Sequence, residues 1–370
     1  MITFNAISNG AGACWFFPSF PARAILKGRI VKYFEAHSVY EFKDAEGKTP
    51  EILLVDGNRT GGKTTAFSKM LVQDFIDKNE KFFLVYRYKN DMKDVADAFF
   101  KDIKTLFFSS YELTAKGHAN GAFYELFLNG KSCGYASALS MVSKLKRYSH
   151  LFSDVAKMFF DEYQDENNLY LPDEVQKFVS LHTTIARGQG KAVRFVPVYM
   201  ASNSISIFNP YYLALGITSK INSKTKVYRG AGFVLLRLII KDVAEAQKAS
   251  AFNRAFSSSV YMGSSIDNTF LNDNNFNVEK RKIDGPAVFV FWCAGTLYSC
   301  FRSGDFYYIK KGGDKTIIPA FGVLEQDRIE GVTAFKNSTY FYRMRYNYED
   351  ALVFYETQEA KHAFQSLIFA

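Results

Sequence analysis

An apolar run, Ile52-Leu53-Leu54-Val55, ends in Asp56 and leads into Gly57-Asn58-Arg59-Thr60-Gly61-Gly62-Lys63-Thr64; a helix-compatible segment, 65–76, follows. Strand, then G-x-x-x-x-G-K-T, then helix is the order a phosphate cradle requires. The glycines let backbone N–H groups curl around an anion, and the helix N-terminus adds its positive end. The expected nucleotide-binding set is Gly57, Asn58, Arg59, Thr60, Gly61, Gly62, Lys63, Thr64 and Thr65. Lys63 would reach the β- and γ-phosphates of ATP, and the Thr64 hydroxyl would sit on Mg²⁺.

What surrounds the loop must be large enough to fold around it. The chain has 370 residues, 48% hydrophobic and 22% charged, which suits about two globular domains. Cys14, Cys133, Cys293 and Cys300 show no metal-type pairing and are too few for a disulfide scaffold, so a zinc site is not expected and a reducing cytoplasm is. The longest apolar runs, 233–240 and 287–295, fall short of the ~20 residues a membrane span needs. The net charge of +9 favours a polyanionic partner without naming one.

Further along, 81–86 and 158–160 read as buried strands, and 195–200 as another. Residues 91–106 have helical spacing, with Val95, Ala98, Phe99 and Ile103 on one side. Asn129-Gly130 between 124–128 and 131–135 predicts a hairpin with a type I′ turn. A helix is expected over 172–185, with Pro172 and two acids in its first turn. Strands alternating with helices imply a mostly parallel sheet with active residues at strand C-terminal ends. Beyond about residue 212 the texture changes. A strand and short helix fit 233–250, 257–277 reads as a linker or loop, three strands fall within 287–309, and 348–369 looks like one closing helix.

The strand 158–160 ends in Asp161-Glu162, as a Walker B strand does. Asp161 would hold Mg²⁺, and Glu162 would polarise the attacking water, a role a hydrolase needs and a kinase must avoid. Ser202-Asn203, ending the next strand, fit a γ-phosphate sensor. Arg187, in Ala186-Arg187-Gly188-Gln189-Gly190, is either a finger reaching a neighbouring subunit's γ-phosphate or a solvated loop arginine; the residues leave this open. Arg59 is placed to meet the γ-phosphate or an acid such as Glu162. Arg87, Lys89, Lys144, Lys146 and Arg147 are candidates for DNA or trans-subunit contact.

In this order, Gly57-x-Arg59-x-x-Gly62-Lys63-Thr64, Val85-Tyr86-Arg87-Tyr88-Lys89, Gly130-Lys131 with Gly134-Tyr135, Phe160-Asp161-Glu162, Pro172-x-Glu174-Val175, Arg187, and Ser202-Asn203 with Asn209-Pro210-Tyr211 resemble the DNA-packaging motor ATPases of phi29-like bacteriophages. Those are additional-strand P-loop ATPases related to terminase large subunits. The likeness covers about 50–215; its C-terminal part is thinner, mainly Asp267-Asn268-x-Phe270 and Val278-Glu279-Lys280-Arg281. It implies an α/β fold: an N-terminal RecA-like P-loop ATPase with a mostly parallel sheet, plus a smaller α+β C-terminal domain resembling a vestigial RNase H-like nuclease. The expected division is an N-terminal extension over 1–50, the ATPase domain over 51–215, a linker or helical subdomain over 216–265, and a nucleic-acid-binding domain over 266–370. Asp305 as the single acid within 287–310 is too little for two-metal cleavage. The resemblance also implies a homo-oligomeric ring, a pentamer, that pumps double-stranded DNA through a procapsid portal in the host cytoplasm, with a structural RNA as a possible component. By it, Arg187 becomes the trans finger, Lys89 a DNA grip, and Lys146 or Arg147 a regulatory trans contact. The rival readings are a helicase-type translocase and a terminase with a live nuclease.

Overall fold

A computed structural model of the chain describes residues 23–26, 29–92, 101, 103–166, 169–218, 220–222, 225–238, 240–255 and 277–369. The expected linker over 257–277, the Asp267-Asn268-x-Phe270 match, and Val95, Ala98 and Phe99 of the expected 91–106 helix lie outside the described residues, 277 itself apart.

The main sheet, of nine strands, is built on the P-loop strand β3 (Ile52–Gly57). Its other members are β4 (Lys81–Tyr86), β5 (Leu113–His118), β6 (Phe123–Leu128), β7 (Lys131–Ala138), β8 (Val155–Asp161), β9 (Val198–Asn203), β10 (Val227–Gly230) and β11 (Phe233–Leu238). A short antiparallel pair, β1 (Arg23–Leu26) with β2 (Arg29–Lys32), precedes it. The spatial order is β10-β11-β3-β9-β8-β4-β7-β6-β5, and the strands from β11 to β7 run parallel.

Period-2 burial explains why these runs are strands. Leu54, Phe83, Val85, Met158 and Phe160 enter one core cluster, while Leu53, Val55, Phe82, Leu84 and Phe159 enter the other. A parallel sheet covered on both faces needs apolar side chains at successive positions. The helix α1 (Lys63–Lys78) covers one face through Phe67, Leu71 and Phe75; α2 (Glu174–Ile185) covers the other through Phe178, Leu181 and Ile185. Each fully buried phenylalanine contributes about 1.5–3 kcal/mol relative to exposure. The hairpin β6–β7 turns at Asn129 and Gly130 with φ of 48° and 74°, as a type I′ turn requires.

Two expectations about the chain's second half are corrected. Part of the stretch expected as a linker or helical subdomain, 216–265, completes the main sheet: β11 lies parallel to β3, from Phe233 opposite Ile52 to Leu238 opposite Gly57. Its run Phe233-Val234-Leu235-Leu236 is buried on both sides, and that burial decides its place. Only then comes a helix, α3 (Lys241–Ala249). The closing helix expected over 348–369 is broken in two. Helix α4 (Phe341–Glu349) ends before Ala351, which is left-handed at φ 58°; a strand and then α5 (Gln358–Phe369) follow. Val353-Phe354-Tyr355 is β-branched and aromatic and pairs with a sheet edge, overriding the helical pattern.

The second sheet contains β12 (Ala287–Cys293), β13 (Thr296–Ser303), β14 (Phe306–Lys311), β15 (Ala320–Gly322), β16 (Val332–Ala334) and β17 (Val353–Tyr355), in the order β16-β15-β12-β13-β14-β17. An antiparallel meander β12-β13-β14 with β15 and β16 parallel beside β12 is the arrangement of an RNase H-like sheet. Its core, with Phe289, Phe291, Phe321 and Phe364, also takes in Tyr170 from the first half of the chain.

Candidate nucleotide site

β3, β8 and β9 all end at one edge of the main sheet, with β9 between the P-loop strand and the Asp161-Glu162 strand. Asp56 is opposite Ser202, and Asp161 is opposite Ala201. Parallel register therefore delivers the expected phosphate, metal and sensor groups to one place. They line a cleft of about 270 Å³: Arg59, Thr60, Gly61, Gly62, Lys63, Thr64, Thr65, Asp161, Glu162, Ser202 and Asn203.

Gly62 caps α1 in the left-handed region at φ 77°, and Thr60 is left-handed at 58°. The lysine side chain curls back into the loop. Lys63 Nζ donates to Gly57 O at 3.1 Å, Asn58 O at 2.9 Å and Asn203 Oδ1 at 3.4 Å. Burial pulls its ammonium down to about 8. Desolvation pushes the Asp161 carboxyl up to about 6, against a hydrogen bond from Thr64 that favours its charged form. The buried Lys63 ammonium and the half-buried Asp161 carboxyl beside the Thr64 hydroxyl offset one another only in part, since burial still shifts both toward their neutral forms. A polyphosphate would relieve Lys63, and a divalent cation would relieve Asp161. Two hard oxygen donors, from Asp161 and Thr64, fit Mg²⁺.

Glu162 is exposed at the lip of the cleft and left-handed at φ 54°. Such a conformation costs of order 1–3 kcal/mol and persists only where neighbours hold it. Here Arg87 does so, donating to Glu162 O at 3.2 Å and Tyr163 O at 2.8 Å. Its Nε donates to Glu174 at 2.9 and 3.1 Å. Arg87 is 7% exposed, which corrects its expected part in DNA contact: the guanidinium is sealed inside the protein. Arg59 also meets a different partner, pairing with Glu166 rather than Glu162.

Of the two residues expected as a sensor, Asn203 faces Lys63. Ser202 turns inward, accepting from Gln164 N at 3.3 Å and donating to Asn203 O at 2.8 Å. Sequence reasoning passed over the buried layer beneath. Asp56 accepts from the hydroxyls of Tyr163 and Tyr212 and from Gln164 Nε2, and burial raises its carboxyl. Gln164 Oε1 in turn accepts from Ile205 N at 3.1 Å and Ser206 N at 3.0 Å. Also missed were Tyr33, against which a Cβ on Gly62 would press at 3.3 Å, and Gln247, which donates to Thr60 Oγ1 at 2.7 Å. A signal for the buried layer was present in Asp56 itself, an acid inside an apolar strand.

Arg187 does not join the cleft. It follows α2 and is exposed, with Nε donating back to Thr183 O at 3.3 Å. The adjoining Gly188 packs on Ser153, and Arg194 reaches Val155 O at 3.0 Å. Those contacts are at the start of β8, the opposite edge of the sheet from the cleft. Lys89 leaves the cleft edge exposed, its Nζ on Asn120 O at 2.9 Å. Lys144, Lys146 and Arg147 are exposed on the helical segment between β7 and β8. In the second sheet Asp305 sits exposed in the β13–β14 turn. Asp327 is buried and accepts from the N–H groups of Ala294, Gly295 and Leu324. No cluster of three or more His, Cys, Asp or Glu placed for a metal occurs among the described residues.

The family described as Podovirus DNA encapsidation protein (Gp16) matches residues 39–365, spanning both sheets. The DNA packaging protein of Bacillus phage phi29 is 28% identical over 260 residues, 70% of this chain and 72% of that protein. The DNA packaging protein of Bacillus phage B103 is 27% identical over 303 residues, 79% of this chain and 87% of that one. A chain of the bacteriophage phi29 viral genome packaging motor assembly superposes with a TM-score of 0.52 at 22% identity, over 90% of this chain and 99% of that chain, a likeness of fold.

Proposed function

The chain belongs to the Podovirus DNA encapsidation protein (Gp16) family, and we propose that it is the ATP-driven motor that moves double-stranded viral DNA into a procapsid, hydrolysing ATP at subunit interfaces of a ring. The observation that carries the reading is the strand order β3-β9-β8, which sets Lys63, Thr64, Asp161, Glu162 and Asn203 around one cleft. Lys63 and the loop N–H groups bind the phosphates of ATP. Asp161 and Thr64 would hold Mg²⁺, which would neutralise charge on the phosphate oxygens. Glu162 accepts the proton of a water attacking the γ-phosphorus as the bond to the ADP oxygen breaks. Asn203, bonded to Lys63, senses the γ-phosphate.

Arg187 supports the ring. It lies at the sheet edge remote from its own cleft, so a second copy must present it if it is to stabilise the transition state. A pentamer, a portal partner at the procapsid and a structural RNA are the finer form of this proposal. Lys89, Lys144, Lys146 and Arg147 are exposed cations for DNA phosphates or a neighbour. Residues 39–238 form the ATPase domain in this reading, and 277–369 the nucleic-acid-binding one. Asp327 braces a turn there by accepting from the N–H groups of Ala294 and Gly295.

The test is ATP hydrolysis by purified protein with and without double-stranded DNA over a concentration series. Stimulation by DNA that rises cooperatively with protein concentration is expected. Activity indifferent to both would refute shared active sites and the role of Arg187.

A further inference from the structure

The turn that carries Glu162 is held by a side chain that also touches the other sheet's core. The Arg87 guanidinium donates to the carbonyls of Glu162 and Tyr163. On its face, 5.1 Å from the ring centre, lies Tyr170. That ring is 1% exposed and belongs to the C-terminal core, edge-on to Phe369 with centroids 5.7 Å apart. The backbone on either side of Tyr170 is pinned to the segment after β4 and to the start of α2. Leu169 O accepts from the Tyr88 hydroxyl at 3.2 Å, and Leu171 N donates to Glu174 Oε2 at 2.8 Å. Glu174 is the partner of Arg87 and also accepts from Tyr211 at 2.8 Å. Asp173 pairs with Lys336, which belongs to the other sheet's domain.

We propose that Tyr170 is a positioning residue that acts through Arg87 as the mechanical joint between the catalytic turn and the C-terminal domain. The inference rests on the nucleotide reading above and adds to it the route by which hydrolysis moves the second domain. A planar guanidinium that contacts the turn carbonyls, Glu174 and Tyr170 cannot tilt for one without disturbing the rest. The turn it holds is left-handed at Glu162, so it has an unstrained conformation to relax into once its hold changes. Room for movement exists at the same junction: a cavity of about 310 Å³ bounded by Phe208, Leu213, Val323, Leu324, Gln365 and Phe369. Coupling of this kind is reciprocal, so DNA bound to the C-terminal domain changes nucleotide affinity by the same factor that nucleotide changes DNA affinity.

Hydrogen exchange on the full chain, with and without Mg²⁺ and a non-hydrolysable ATP analogue, tests the joint together with DNA-stimulated ATP hydrolysis. In the wild type, nucleotide should raise protection at the P-loop and also at 358–369. In Tyr170→Ala the P-loop response should persist while the 358–369 response fades, and stimulation by DNA should fall at least about fivefold. A wild type whose P-loop responds while 358–369 stays unchanged would overturn the joint and leave the nucleotide reading standing. So would a Tyr170→Ala protein that keeps both the remote response and DNA stimulation. A wild-type P-loop that does not respond overturns the nucleotide reading and the joint with it. Phe369→Ala cuts the same contact from the other domain, so a folded Phe369→Ala with an undiminished remote response also refutes the proposal if Tyr170→Ala does not fold.

Discussion

Gln164 Nε2 lies 3.1 Å from both carboxylate oxygens of Asp56, joining the turn after the Glu162 strand to the strand that enters the P-loop. Its backbone N–H reaches Ser202 and its Oε1 takes the N–H groups of Ile205 and Ser206, so one buried amide ties the ends of β3, β8 and β9. Removing it leaves a buried carboxylate and two buried N–H groups without that partner. Gln164→Ala should cost about 2–4 kcal/mol of stability. Urea denaturation measures this, and a loss under about 0.5 kcal/mol would show that the amide does not lock the strand ends.

Glu162 and Lys63 should separate chemistry from binding. Glu162→Gln keeps shape and loses the base, so turnover should fall by at least about a hundredfold. Its affinity for Mg²⁺-ATP should stay within a few-fold. Lys63→Ala should lose binding itself. Calorimetric titration beside a phosphate-release assay distinguishes the two, and substantial turnover in Glu162→Gln would remove Glu162 from the chemistry.

Arg187 should act across a subunit boundary. Mixing Arg187→Ala subunits with Lys63→Ala subunits creates interfaces that combine an intact cleft with an intact finger. Some hydrolysis should return at intermediate ratios. Absence of recovery in rings demonstrated to be assembled and mixed would argue against trans placement.

Arg87 and Lys89, two residues apart, should behave oppositely. Arg87→Ala strands the buried Glu174 carboxylate and should destabilise the fold by about 3–5 kcal/mol. Lys89→Ala should leave stability within about 0.5 kcal/mol while weakening DNA binding and lowering its salt slope by about one ion. Thermal unfolding and salt-dependent DNA titration provide the two readouts; a stable Arg87→Ala with weakened DNA binding would reverse the assignment.

His362 makes stability depend on pH. Burial, aided by Lys361, holds its imidazole down to about 3, and its ring stacks on Phe208. Between that value and the ordinary ~6.5 the unfolded chain takes up a proton that the folded chain refuses. Stability from this group is therefore complete above about pH 6.5 and is lost as pH falls, by up to about 2 kcal/mol at pH 5. The gap between wild type and His362→Gln should shrink by that amount from pH 7 to pH 5 in urea titrations. A gap that does not change with pH would mean the imidazole is already free to protonate.

Much of the candidate cleft was legible in the linear chain because its parts are local: the loop 57–64 follows its own strand and starts its own helix, and Asp161-Glu162 and Ser202-Asn203 each end an apolar run. A glycine-rich strand-to-helix loop and buried parallel strands have short-range signatures, so spacing alone placed them. What joins these pieces is not local. Arg87 finds Glu174 across 87 positions, and Asp56 finds Tyr212 across 156. A basic residue at a strand end looks the same in sequence whether it faces DNA or a buried carboxylate; only packing decides, because burial makes an unpaired charge too costly to leave. The same holds for Phe233-Val234-Leu235-Leu236 and Val353-Phe354-Tyr355, whose places depended on open sheet edges supplied from elsewhere in the chain. Sequence determined the chemistry of each strand end; tertiary structure decided which ends share a cleft, and left Arg187 on the far side of the sheet.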